Sequence, residues 1–359
     1  MSESNVFTTI PPQKSSGKPG QLTDEQLKQF FEDGFVLLPD FFEPKTELDP
    51  CRKATENMVE DLAEKLVKAG KVSDTFADSP LENRLTKLNQ AFPGASVLLH
   101  KVGILPEAYQ TLWTNDRLLN IMEQLVGPEI LGHPVWNLRP KTPNTSAGDV
   151  PWHQDSAYLD ESGDNVLQVT CWIPFLNTSA KNGCLQVVKG GHRKGLLAPH
   201  RGCWGDTWYL WTDGKDLEDN LGVDMSNDVV TCEVPYGGVL IFSNMLPHRS
   251  LPNLSDEIRW SVDLRYQAAG RPVAFHGLKE GILLRSAKDP KMVPDWNSFS
   301  NLNRSDLQAG GVEEVKDPLD CRIIGPWMNR WPLVHENDHT KMFVLSQGKD
   351  CSWHQPSRA

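Results

Sequence analysis

A β-sandwich or β-barrel domain buttressed by N-terminal helices is the fold class the sequence predicts. Three observations predict it. From about residue 130 the chain reads as short apolar runs, such as "NVLQVTCWIPF", "GGVLIFSN" and "RWSVDLRYQA", separated by Gly, Pro, Asn and Asp. Strands of that length with turn residues between them build sandwiches and barrels. Helical patterns precede the strands instead of alternating with them, which argues against βαβ units. There is also no G-x-G-x-x-G, P-loop or G-x-S-x-G motif, the signatures that mark the common α/β enzymes.

The elements follow in order. Residues 1–20, rich in Ser, Pro, Lys and Gly, read as a disordered tail. "LTDEQLKQFFEDGF" opens a helix: Thr23 and Gln26 form a capping box, and Gly34 can end it in a left-handed turn. "FVLLPDFF" follows as a short buried strand. Residues 46–70 are expected to be helical, with Leu48, Met58, Leu62, Leu66 and Val67 on one face. A further helical stretch within 105–126 closes at Gly127-Pro128. The expected layout is one domain over 21–359: a helical layer at 21–128, a strand core at 129–270 and a C-terminal extension at 271–359.

Composition bounds the partners. The 359 residues are 39% hydrophobic and 23% charged, a globular balance that supports a sizeable core. The net charge of −11 argues against nucleic acid, whose binding needs a basic footprint. Seven scattered cysteines without a C-x-x-C spacing suit a reducing compartment better than a disulfide framework. No apolar leader and no run of membrane-spanning length is visible. The expected location is therefore cytoplasmic, although the final "SRA" is faintly similar to a peroxisomal address.

The chemistry concentrates in "VPWHQDSAYLD", residues 150–160. In a strand, side chains alternate, so His153 and Asp155 share a face and Gln154 takes the other. A second histidine, His248, ends the apolar run "GGVLIFSNMLPHRS", where a strand meets the rim of a barrel. Two histidines and one carboxylate on one face leave coordination positions open, the arrangement of non-haem Fe(II) oxygenases. Arg259 falls 11 residues after His248. If the loop folds back, Arg259 lies on the neighbouring strand, and its guanidinium can take a carboxylate by two hydrogen bonds. Ser250 shares the face of His248. Arg265 has the parity of Arg259 but sits farther along the strand and is the weaker candidate.

H-x-D, then "NGCLQVVKGGHRKG", then "GGVLIFSNMLPHRS", then the arginine, resembles the phytanoyl-CoA dioxygenase family over roughly residues 21–270. The opening "LTDEQLKQFFEDGFVLLPDFF" resembles that family's N-terminus. The resemblance implies a mainly β fold, a double-stranded β-helix (jelly roll, cupin-like) with a buttressing helical layer. It implies an Fe(II)/2-oxoglutarate-dependent dioxygenase that hydroxylates a C–H bond of a small organic substrate, consuming O₂ and releasing succinate and CO₂, with ascorbate as reductant. His153, Asp155 and His248 match the iron ligands; Arg259, Ser250, Lys87, Trp136 (or its neighbour Asn137) and Trp172 match residues that contact 2-oxoglutarate. An acyl-CoA hydroxylase of the same family and a non-catalytic binding member are the alternatives. The ligands and the arginine that a binding module would have lost are all present.

One stretch points to the substrate. In "VKGGHRKGLLAPHRGCWGDTWYLW", Lys189, Arg193, Lys194 and Arg201 concentrate positive charge ahead of Trp204, Trp208 and Trp211. The resemblance implies that this connection lies near the mouth of the site, where Arg193, Lys194 and Trp204 are expected to hold a small anionic, even zwitterionic, substrate.

Overall fold

The computed structural model describes residues 5–13, 16–145, 148–301 and 317–347. Its ten strands are β1 (Phe35–Leu38), β2 (Ile130–Gly132), β3 (Asn137–Lys141), β4 (Gln168–Pro174), β5 (Leu185–Val188), β6 (Val229–Cys232), β7 (Val239–Ser243), β8 (His248–Ser250), β9 (Arg259–Ala268) and β10 (Ile282–Arg285). Seven form one antiparallel sheet in the order β1-β7-β4-β9-β2-β10, with β3 also on β9; β6-β5-β8 form the second sheet. Helices α1 (Asp24–Asp33), α2 (Asp49–Lys68), α3 (Leu81–Ala91), α4 (Ala95–His100), α5 (Glu107–Trp113) and α6 (Asp116–Val126) come first, followed later by α7 (Gly214–Leu221), α8 (Trp296–Ser300) and α9 (Asp338–Ser346). The architecture is a mainly β jelly roll with a helical layer on the outer face of its large sheet.

Alternation along the strands makes the two layers. On β9, Trp260, Val262, Leu264 and Tyr266 pack into the core shared with the helices. The opposite face carries Arg259, Ser261, Asp263 and Arg265, all buried. A strand that is apolar on one side and charged on the other, yet buried on both, has a core behind it and a polar chamber in front. The space between the sheets is filled from Phe35, Trp172, Leu185, Val187, Leu240 and Phe242.

Several elements differ from the sequence expectation. The tail is packed where it is described: Phe7 is 2% exposed, and the Asn120 amide donates to the Pro19 carbonyl at 2.9 Å. The helix expected over 46–70 begins with one wide turn at Pro44–Leu48 and runs as α2, and its buried stripe is Cys51, Thr55, Val59, Leu62, Ala63 and Leu66. Val67 is 37% exposed. Helices α3 and α4 were not foreseen. The Thr23–Gln26 capping box and the left-handed Gly34 (φ 91°) are present, and a Cβ at Gly34 would lie 2.6 Å from His192 Nδ1. The C-terminal extension is woven in: β10 pairs with β2, and Ile323, Ile324, Trp327 and Phe343 pack against Cys203, Trp208 and Leu210. The terminal "SRA" lies outside the described residues. Among those, no helix is long and apolar enough to cross a membrane.

Candidate active site

His153 and His248 are brought together by the backbone. Each donates its amide to the other's carbonyl, at 3.0 and 2.9 Å, in an isolated antiparallel bridge. Their imidazole centroids are 4.2 Å apart. The expected strand through His153 and Asp155 is therefore a single bridge followed by a 3₁₀ turn, Asp155–Tyr158. The face-sharing still holds, because Gln154 between the two side chains is extended (φ −113°, ψ 133°). Its own amide turns away to donate to the carbonyls of Leu196 and Met245.

Donor atoms of His153, Asp155 and His248 all lie within 4.8 Å of one another. Asp155 Oδ1 is 3.6 Å from His153 Nε2 and 3.9 Å from His248 Nε2. Each histidine is fixed through its other nitrogen: Nδ1 of His153 against the Pro151 carbonyl at 2.9 Å, Nδ1 of His248 against the Leu246 carbonyl at 3.0 Å. Bonds of that kind set the tautomer and leave Nε2 with a lone pair. Burial pushes His248 down to about 3, so it is neutral, as a metal ligand must be. Burial opposes ionisation of Asp155, yet Arg265 and the two imidazoles outweigh it and hold the carboxyl well below its usual range. The donor set, two imidazoles and one carboxylate aimed at a common point, fits a divalent iron ion.

Arg265 is the part that sequence reasoning undervalued. Its Nε and Nη2 both donate to Asp155 Oδ2, at 3.1 and 3.0 Å, and Thr170 Oγ1 donates to the same oxygen at 3.0 Å. One carboxylate oxygen is thereby saturated, and the other is left to face the histidines. The shared parity with Arg259 was the available signal; its partner could not be read without the fold.

Arg259 is 3% exposed, and its guanidinium lies 5.2 Å from the Trp172 ring. It donates to Ser261 Oγ, and its Nε has no partner. Strand β9 lies in the large sheet and β8 in the small one, so Arg259 faces His248 across the chamber instead of neighbouring it. Lys141 on β3, which the sequence did not single out, lies beside it. Its Nζ donates to Asp149 Oδ1 at 2.7 Å, the Gly148 carbonyl at 2.6 Å and Ser250 Oγ at 3.0 Å. Burial, then the charge of Arg259, pushes Lys141 down to about 8. Trp172, Ser250, Lys141 and Arg259 line one cavity of about 700 Å³ together with His153 and His248. A second cavity, of about 980 Å³, opens from His153 and Asp155 toward Tyr158, Trp208, Phe275 and Trp327.

Five expected contacts fall elsewhere. Lys87 is on the exposed side of α3, where its Nζ donates to Ser79 Oγ at 2.8 Å. Trp136 points into the core behind the sheet, 6.0 Å edge-on to Tyr109, while Asn137 lines the larger cavity. Arg193 and Lys194 are exposed; Arg193 Nε donates to the Glu32 carbonyl at 2.7 Å and Lys194 Nζ to the Asn220 carbonyl at 2.9 Å. Trp204 is 41% exposed and packs on Trp211. It is Trp208, four residues on, that reaches both cavities.

A double-stranded β-helix with two histidines and a carboxylate at its mouth defines the class. The family model described as phytanoyl-CoA dioxygenase matches residues 30–261, and the chain belongs to that family. It is 26% identical over 177 residues to a 1-deoxypentalenic acid 11-beta-hydroxylase of Streptomyces arenae, an alignment covering 47% of this chain and 60% of that one. It is 25% identical over 260 residues to the human peroxisomal phytanoyl-CoA dioxygenase, covering 69% of each. Among solved structures, EctD from S. alaskensis in its apo form superposes with a TM-score of 0.48 at 18% identity, over 76% of this chain and 89% of that one.

Proposed function

We propose that the protein is an Fe(II)/2-oxoglutarate-dependent dioxygenase that hydroxylates a C–H bond of a small organic substrate. The observation that carries the proposal is the pairing of two features in one chamber. His153, Asp155 and His248 converge with their outer atoms pinned, and a buried arginine with an unpartnered Nε stands opposite. A buried cation without a carboxylate is costly unless an anion arrives.

Iron held by the three side chains would supply oxygen activation, with 2-oxoglutarate giving succinate and CO₂. The protein's residues do the rest. Arg259 takes the distal carboxylate of 2-oxoglutarate by charge-assisted hydrogen bonds. Ser250, held in place by Lys141, presents its hydroxyl beside it. Trp172 closes the floor under the guanidinium and excludes water, which strengthens that pair. Arg265 and Thr170 hold Asp155 in one orientation.

The test is iron content and succinate release, with 2-oxoglutarate, Fe(II), O₂ and ascorbate supplied. One iron per chain is expected. His248→Ala should lose most of the iron, and its succinate release should fall by at least the ~100-fold that losses of outer-shell partners alone can reach. Full iron and full succinate in that variant would refute the assignment. Mass spectrometry of a cell extract turned over by the protein should show a product heavier by one oxygen.

A further inference from the structure

We propose that the substrate is an organic acid whose carboxylate is held by Arg139, with its apolar skeleton lying among Tyr158, Trp208, Phe275 and Trp327. The proposal rests on the dioxygenase reading above and names the substrate class of that site.

The argument starts from charge. Among the described residues, β3 and β9 carry four cations on their chamber faces: Arg139, Lys141, Arg259 and Arg265. The carboxylates bonded to them are three: Asp149 to Lys141, Asp155 to Arg265, and Asp263 to Arg139 at 2.9 Å. Asp263 is also 3.7 Å from Arg265, so it is shared. These two strands therefore present one positive charge more than the acids bonded to them balance, and Lys101 and Arg322, which line the larger cavity and both act on the one carboxylate of Asp320, add to the excess. A divalent metal and the 2-oxoglutarate dianion cancel each other and leave that excess in place. A substrate carrying a carboxylate lowers that excess, and a neutral one leaves it uncompensated.

Position then selects the residue. Arg259 and Lys141 line only the smaller cavity, beside Ser250 and Trp172. Arg265 is committed to Asp155 through two of its nitrogens. Arg139 lines both cavities. Its Nε is bonded to Asp263 at 2.9 Å, while the side chain keeps 21% of its surface open. Of the other cations on the larger cavity, Arg322 is bonded to Asp320 through two nitrogens and Lys101 Nζ donates to the Asp320 and Arg322 carbonyls, whereas Arg139 lines both cavities beside His153.

The walls select the rest of the molecule. Trp208, Phe275 and Trp327 are each under a tenth exposed and border the larger cavity. The Tyr158 ring stands edge-on to both His153 and Trp327, at 5.8 and 6.1 Å, and so spans the metal donors and the outer wall. Such walls suit an apolar ring or chain. The class moves the anion handle from the basic 189–201 stretch to β3. It also separates a free acid from an acyl-CoA, whose thioester masks the carboxylate.

The test is calorimetric titration of the protein loaded with Ni(II), which is inert to turnover, and 2-oxoglutarate. The three probes are 4-phenylbutyrate, 4-phenylbutanol and 4-phenylbutyryl-CoA. The acid is expected to bind at least about tenfold tighter than the alcohol, the ratio a charge-assisted pair gives, and tighter than the thioester. Arg139→Gln should remove the preference for the acid, with Ni(II) uptake checking that the variant is folded; the wild-type ranking needs no variant. Equal binding of acid and alcohol, no binding of the acid at about millimolar concentration, or tighter binding of the thioester overturns the proposal. A preference that survives Arg139→Gln overturns the role of Arg139. If 2-oxoglutarate itself fails to bind in the first titration, the dioxygenase reading fails instead.

Discussion

Lys141 carries a positive charge to a place where burial opposes it. Its side chain is 1% exposed, its folded value is about 8, and the charged groups around it are Asp149, Arg259 and Arg139. At neutral pH it is mostly protonated and adds to the field that draws the distal carboxylate of 2-oxoglutarate. As pH rises through about 8 the proton leaves, and the apparent Michaelis constant for 2-oxoglutarate should rise. A rise of about fivefold or more is expected, in line with the loss of a hydrogen bond to a charged group. Stability moves the other way. The folded value lies below the unfolded lysine value of about 10.4, so between the two the unfolded chain binds more protons and stability increases with pH. A weakened cosubstrate affinity above pH 8 is thus separable from unfolding. Lys141→Met should start with the higher constant at pH 7 and stay flat across the window; a wild-type constant that stays flat as well would refute the role. The i,i+2 rule made His153 and Asp155 legible in the sequence, and Arg259 was found by its spacing of 11 residues from His248. The same rule applies to Asn137, Arg139 and Lys141, but Pro140 in that run hides the alternation.

The strands were legible where their patterns alternate and illegible where geometry decides. β9 reads directly as one apolar and one polar face, and β4 and β7 as buried runs. That β8 and β9 belong to different sheets could not be read, because nothing in residues 251–258 states whether the loop returns beside its strand or crosses the sandwich. The stripe Leu81, Leu85 and Leu88 was there for α3, but the helix begins after Pro80 with no side-chain cap, which removes the usual start signal. The basic connection after β5 shows how a charge run misleads. Arg193 and Lys194 read as a substrate clamp, but Arg193 fastens the end of α1 through the Glu32 carbonyl and sits 3.8 Å from Asp33, and Lys194 ties to the end of α7. The double variant Arg193→Gln with Lys194→Gln should therefore keep its Michaelis constant for the substrate and its salt response. Its stability should fall by no more than about 1 kcal/mol, the scale of exposed pairs. A raised constant that salt also modulates would return the stretch to the binding site.

The metal donors come from two distant pieces of chain that meet only in the folded sandwich, so metal binding and folding are linked. His153 and Asp155 sit on the connection between β3 and β4, and His248 begins β8. An ion that binds the native state and not the unfolded chain stabilises it by about 2.7 kcal/mol at a hundredfold excess over its dissociation constant. That corresponds to a rise in Tm of a few degrees, since about 1 kcal/mol moves domains of 150–250 residues by roughly 2–4 °C and longer chains by less. Adding Ni(II) to metal-stripped protein should raise Tm accordingly, 2-oxoglutarate should raise it further, and EDTA should reverse both shifts. His153→Ala should abolish both, because the cosubstrate's binding depends on the occupied metal. Lys87→Ala is the informative partner. The family resemblance puts Lys87 on the cosubstrate, while the fold turns it outward on α3, bonded to Ser79. Its two shifts should therefore match those of the wild type. If Lys87→Ala keeps the metal shift and loses the 2-oxoglutarate shift, the lysine does reach the chamber, and the outward placement of α3's polar face is wrong.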